Sequence, residues 1–246
     1  MIKQEHRWAF ERDGFVIIED IFSPEETAIL RHAAETQERI KEARATRDAE
    51  GRPSRLSLSK EFTPDVWGHI SRMPRVVRSA ELLLGEEIYH WHSKVMLKDA
   101  REGGAWEWHQ DYGYWYNDDP PFPRLISAML AVTEADRSNG CLKVLKGSHL
   151  CGRIDHGKIG TQTGADPARV EALTKRLPTV YCELKPGSVL FFHCNLLHAS
   201  DPNVSDRPRI SYICCYNALG NSPLTKPGHG PCEPIALVED HLKAWM

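Results

Sequence analysis

The feature that most constrains this chain is a train of short apolar runs, each closed by a turn signal. Residues 88–98, 125–132, 141–145, 180–184, 189–192 and 209–216 are rich in aliphatic, β-branched and aromatic residues and read as strands. Between them stand Gly103-Gly104, Arg137-Ser138-Asn139-Gly140 and Lys185-Pro186-Gly187-Ser188, which are turn chemistry. Several short strands at similar spacing predict a sandwich or barrel. No internal repeat is present.

The first third is helical. Residues 3–12 predict a short helix before the turn Asp13-Gly14 and a strand over 15–18. Ser23-Pro24-Glu25-Glu26 is a helix start with a capping box, and that helix is expected to run to about residue 43. Residues 44–60 are polar and carry Gly51-Arg52-Pro53, which predicts a mobile loop able to cover a site. Thr63-Pro64-Asp65 opens a short helix, and another after Met73-Pro74 stops at Gly85. Residues 151–177 are polar, with a helix near 167–176. The Pro- and Gly-rich tail predicts a terminal helix near 237–245.

At 246 residues the chain fits one domain over 1–246, with a helical part about 1–85 and a β core about 86–218. Net charge is −3 with no basic block, so neither nucleic acid nor an anionic membrane is the expected partner. No apolar run approaches the ~18 residues that span a bilayer, and residues 1–6 lack a signal-peptide core. The expected location is cytoplasmic. The seven cysteines are odd in number, without Cys-x-x-Cys, and read as reduced core residues.

The chemistry sits in Trp106-Glu107-Trp108-His109-Gln110-Asp111. Taken as a strand, this run sends His109 and Asp111 to the same side, so both can hold one metal. His198 follows the apolar run 189–192, where a barrel mouth would lie, and Arg209 begins the last strand. An arginine aimed into a barrel needs an anion, and its planar fork suits a carboxylate. Two imidazoles and one carboxylate with open positions form the ligand set of non-heme Fe(II) oxygenases. Zinc hydrolysis is compatible with the ligand types but leaves Arg209 without a role. A lone histidine among 12 is more often a surface or core residue than a ligand.

The order His109-x-Asp111, His198, Arg209 resembles the phytanoyl-CoA dioxygenase family of Fe(II)- and 2-oxoglutarate-dependent oxygenases. Similar too are Phe10-Glu11-Arg12-Asp13-Gly14-Phe15-Val16, Asn139-Gly140-Cys141-Leu142 with Gly147-Ser148-His149, and Pro186-Gly187-Ser188 with Phe192. The resemblance spans roughly residues 8–218. It implies a mainly β fold with α, a double-stranded β-helix (jelly-roll, cupin-like) with flanking helices. It implies Fe(II) on His109, Asp111 and His198, and the distal carboxylate of 2-oxoglutarate on Arg209. Ser200 and Ser211 could add hydrogen bonds, and Lys94 or Lys98 could reach the cosubstrate. With dioxygen, such enzymes release succinate and CO2. Related halogenases have a small residue in place of the carboxylate, so Asp111 favours hydroxylation.

The expected substrate is a small polar metabolite, zwitterionic or cationic. Tyr112, Tyr114, Trp115 and Tyr116 follow the metal motif, with Asp118, Asp119 and Glu107 nearby, and Asn217 ends the last strand. The bland alternative is that the aromatics pack a loop. Trp106 and Trp108 either wall the site or fill core, and one is expected in core. Other readings are desaturation, ring closure or epimerisation, an acyl-CoA substrate, and a non-catalytic cupin-like metal-binding module. Oligomeric state is not legible.

Overall fold

The computed structural model describes residues 2–225 and 231–245. The elements in chain order begin with α1 (Gln4–Asp13), β1 (Phe15–Ile18), α2 (Pro24–Thr36), α3 (Glu38–Lys41), β2 (Arg44–Arg47) and β3 (Pro53–Ser59). There follow α4 (Val66–Ile70), α5 (Pro74–Leu84), β4 (Ile88–Lys98), β5 (Trp106–His109), α6 (Asp111–Trp115), β6 (Leu125–Ala131) and β7 (Leu142–Leu145). The chain closes with β8 (His156–Ile159), β9 (Gln162–Ala165), α7 (Pro167–Thr174), β10 (Thr179–Cys182), β11 (Val189–His193), β12 (His198–Ser200) and β13 (Arg209–Ala218).

Two antiparallel sheets face each other. The larger has the order β1-β11-β6-β13-β4-β3-β2, and the smaller β10-β7-β12-β5. The period-2 alternation of a strand splits the core. On β13, Ile210, Tyr212, Cys214 and Tyr216 face the helical layer with Leu30, Trp67, Val77 and Ala80. Ile213 and Cys215 face the other way, with Met96, Met129, Leu142 and Val144. The helices thus cover one face of the large sheet, and its other face looks across at the small sheet. This is a double-stranded β-helix with flanking helices.

Local chemistry sets the helix ends. Ser23 Oγ accepts from Glu26 N while Glu26 accepts from Ser23 N at 3.0 Å, the expected capping box. Gly85 closes α5 at φ 81°, a conformation that costs other residues. The helix expected to reach residue 43 stops at Thr36. Gln37 is extended there, its side chain accepting from Trp67 Nε1 at 2.9 Å, and α3 starts anew.

Residues 44–60 are a hairpin and not a loop. β2 pairs with β3, and β3 adds to β4 at the sheet edge, with Leu56 opposite Met96 and Leu58 opposite Lys94. The turn is held by Asp48 Oδ1 accepting from Arg52 N at 2.8 Å. A second hairpin, β8–β9, lies within 151–177, where the sequence predicted only the helix realised as α7. The expected terminal helix is only a 3-10 turn at Lys243–Trp245, and residues 226–230 of the Pro- and Gly-rich tail lie outside the described residues. Among the described residues, no helix is long and apolar enough to cross a membrane.

Candidate active site

Between the sheets lies a cavity of about 380 Å³. Its floor is the inner face of the large sheet. Arg209, Ser211 and Ile213 of β13 stand in register with Lys98, Met96 and Lys94 of β4. The small sheet supplies Trp106, His109, Leu142, His198 and Ser200.

His109 and His198 are opposite one another across β5 and β12, with ring centroids 4.1 Å apart. Asp111 completes the group, and one ligating atom from each of the three lies within 4.8 Å of the others. All three side chains are buried. His109 Nδ1 bonds Glu107 O at 2.7 Å and His198 Nδ1 bonds Leu196 O at 2.9 Å. Donating to a carbonyl fixes the proton on Nδ1 and leaves the Nε2 lone pair for a metal. Burial, and for His109 the neighbouring His198, pushes both imidazoles below their ordinary pKa, so each is held neutral. Burial alone would raise the Asp111 carboxyl, but Lys94, the two imidazoles and Ser127 outweigh it and hold it low. Ser127 Oγ donates to Asp111 Oδ2 at 3.0 Å.

The reason His109 and Asp111 meet differs from the expected one. They do not share a strand face: His109 ends β5 and Asp111 opens α6. Gln110 makes the corner. It is buried, donates to Gly152 O and Asn195 O, and accepts from Ile154 N. Gly113 is required just beyond, since a Cβ there would lie 2.0 Å from His156 Cε1.

The same cavity holds a buried cation site. Arg209 is buried and donates to Gly140 O, while its Nε has no hydrogen-bond partner. Burial lowers its pKa to about 10, so it stays charged at neutral pH. Ser200 Oγ and Ser211 Oγ are likewise buried without partners. Buried polar groups are normally satisfied, so this cluster fits a ligand rich in acceptor oxygens. The two donor sets therefore fit iron and 2-oxoglutarate. Lys98 lies outside the cavity lining; it is buried, donates to Asp201 O, and desolvation and Arg209 push its pKa well down.

Of the expected substrate residues, Tyr114 and Trp115 line the cavity, as does Trp106. Tyr112 and Asn217 do not. Tyr112 is buried with its hydroxyl on Pro120 O, and Asn217 donates to Tyr89 Oη and Asn221 O. Their polar groups are used inside the fold, which corrects that expectation. Tyr116, Asp118, Asp119 and Glu107 also lie outside the lining, and Trp108 packs with Leu145 and Leu197.

The mouth draws on residues 44–60, expected as a loop able to cover a site, and on a second segment the sequence did not single out. Arg44, Thr46, Leu56 and Leu58 come from the first hairpin, and Thr161, Gln162 and Thr163 from the second. Thr161 joins the hairpins, donating to Arg47 O at 2.7 Å and accepting from Arg47 N at 3.1 Å. Tyr114 Oη donates to Thr163 O, closing one side. The signal available was the alternation of Leu56 and Leu58 with Arg55 and Ser57.

A site of this ligand set on this fold defines the non-heme iron oxygenases. A family model described as Phytanoyl-CoA dioxygenase (PhyH) matches residues 10–211. The ectoine dioxygenase of Sphingopyxis alaskensis is 32% identical over 238 residues, covering 89% of this chain and 76% of that one. The L-proline trans-4-hydroxylase of Streptomyces griseoviridis is 26% identical over 230 residues, covering 87% and 86%. Among solved structures, EctD from S. alaskensis with bound Fe superposes with a TM-score of 0.81 at 27% identity, over 97% of this chain and 88% of that one. The chain belongs to the phytanoyl-CoA dioxygenase family and is an iron- and 2-oxoglutarate-dependent dioxygenase.

Proposed function

We propose that this chain, acting as one domain, hydroxylates an unactivated C–H bond of a small polar metabolite, with release of succinate and CO2. The observation that carries this is the joint geometry of one buried cavity. Three ligating atoms lie within 4.8 Å of one another, and the same cavity is lined by a buried arginine whose Nε is unpaired. A volume of about 380 Å³ suits a cosubstrate with a small metabolite and is poorly matched to an acyl-CoA. Ectoine and proline hydroxylation by the named relatives supports the same size class.

His109, Asp111 and His198 would hold the iron, which with 2-oxoglutarate and dioxygen supplies the oxidation of the C–H bond. Arg209 would bind the distal carboxylate, with Ser200 and Ser211 donating to it. Ser127 keeps Asp111 oriented and ionised. Trp106, Tyr114 and Trp115 wall the cavity and keep bulk water from the reacting face.

The test is succinate release with Fe(II), 2-oxoglutarate and ascorbate, comparing the natural chain with Asp111→Ala. Iron-dependent succinate is expected from the natural chain, with a loss of at least about a hundredfold in the variant. No succinate above the protein-free control, or equal release by both, would contradict the proposal.

A further inference from the structure

The walls of the cavity carry a charge imbalance that the iron and the cosubstrate do not use. Among the described lining residues, the charged side chains are Arg44, Lys94, Arg209 and Asp111. On the reading above, a divalent metal and 2-oxoglutarate cancel one another, and the single carboxylate, Asp111, offsets only one of the three cations. Two positive charges are left in excess, and Arg44 and Lys94 are the two cations that stand away from the cosubstrate anchor Arg209.

Neither is tied up in a direct contact within the fold. Among the described residues, Arg44 and Lys94 make no salt bridge and no side-chain hydrogen bond. Nearby arginines behave differently: Arg39 pairs with Asp65, Arg55 with Asp99, and Arg47 bonds Gly51 O. Lys94 is the leading charge that holds Asp111 ionised, but the two form no salt bridge, and that carboxylate belongs to the metal group.

Their position separates them from the cosubstrate anchor. Arg209 stands opposite Lys98, and Lys94 lies four residues further along β4, roughly 13 Å at the rise of a strand. Lys94 is opposite Leu58 and Ile213, while Arg44 is opposite Leu56 on the neighbouring hairpin. Between the two cations run Leu56 and Leu58, Ile213 lies on the far side of Lys94, and Trp106, Tyr114 and Trp115 complete the cavity lining. No acidic side chain among the described lining residues, apart from Asp111, is available for an ammonium group.

We propose that the substrate is an organic acid of net negative charge, its acidic group held by Arg44 and Lys94 and its apolar part against Leu58, Tyr114 and Trp115. This rests on the oxygenase reading and deepens it. It reassigns Lys94 from cosubstrate to substrate, and it replaces the expected cationic or zwitterionic substrate. A net cation would meet two like charges with no counter-charge, which specificity by repulsion exploits.

The test is a charge series on one apolar skeleton, phenylacetate, phenylacetamide and phenethylamine, titrated calorimetrically into the Fe(II)- and 2-oxoglutarate-loaded protein without oxygen. Iron-dependent binding of 2-oxoglutarate is measured first on the same preparation. Its absence contradicts the oxygenase reading, whereas its presence leaves the charge series to judge this proposal alone. We expect the acid to bind about tenfold or more tightly than the amide, and the amine most weakly. Arg44→Gln and Lys94→Gln should each erase most of the advantage of acid over amide. Arg44 lies at an exposed edge, so its variant tests recognition even if replacing Lys94 disturbs the fold. An acid that binds no more tightly than the amide, including no measurable binding of either, overturns the proposal. So does an advantage unchanged in Arg44→Gln.

Discussion

The two ends of the cavity are built by different means. At the inner end, His109, Asp111, His198 and Arg209 are buried side chains on or beside paired strands of the two sheets. At the mouth, two hairpins meet through Thr161 and Arg47, which are 114 residues apart in sequence. The inner end is rigid because its supporting bonds are buried, as with Ser127 on Asp111 and Gln110 on Asn195 O. The mouth rests on a few bonds near solvent, which places it at the low-stability end of the molecule. Chemistry is thus fixed by the sheets, and selection of the substrate is left to a replaceable rim.

Breaking the inner end should have the largest effect. Arg209→Met removes the buried cation whose Nε is unpaired, and we expect the KM for 2-oxoglutarate to rise about a hundredfold. Steady-state succinate assays at varied 2-oxoglutarate check this, and an unchanged KM would remove Arg209 from the cosubstrate site. Gly113→Ala drives a Cβ into His156, which itself accepts from Gln110 N at 2.9 Å. A stability loss of about 2 kcal/mol is expected by urea denaturation, with iron affinity falling in parallel.

The large sheet has its own weak point in acid. His193, beside His149 and Phe10 at the end of β11, has its pKa pushed down to about 4, by burial first and His149 second. The unfolded chain takes up this proton near pH 6.5 and the folded chain only near 4. Stability is therefore full above about pH 6.5 and is lost as pH falls toward 4. Between pH 7 and 5 the loss is about 1–2 kcal/mol. His193→Leu should reduce the difference between urea midpoints measured at those two pH values, and an undiminished difference would assign the acid sensitivity elsewhere.

The smallest effect belongs to the mouth. Thr161→Ala removes both bonds to Arg47 and should cost about 1 kcal/mol. Hydrogen exchange should rise at residues 44–47 and 159–163 and not around His109. Equal exchange at both ends would abolish the contrast between them.

How much of this the sequence disclosed follows the same division. The inner strands are apolar runs bounded by glycine turns, so β4, β6, β11 and β13 are legible, as is the order of the metal motif. The local geometry of the motif was not, because His109 and Asp111 meet at a strand-to-helix corner set by Gln110 and Gly113. The hairpins read as loops because their strands are polar and four to seven residues long, and β3 is held by pairing with the distant β4. Tyr112 and Asn217 show the limit of proximity in sequence. Tyr112 adjoins Asp111 and Asn217 shares a strand with Arg209, yet their polar atoms are spent on Pro120 and Tyr89.

The central claim is that the two imidazoles and the carboxylate hold an iron to which 2-oxoglutarate binds. Anaerobic addition of 2-oxoglutarate to the Fe(II)-loaded protein tests it most directly, through the visible charge-transfer band of a 2-oxo acid chelated to ferrous iron. The band is expected in the natural chain and should be lost in His198→Ala. Its absence from the natural chain, or its persistence in His198→Ala, would contradict the claim.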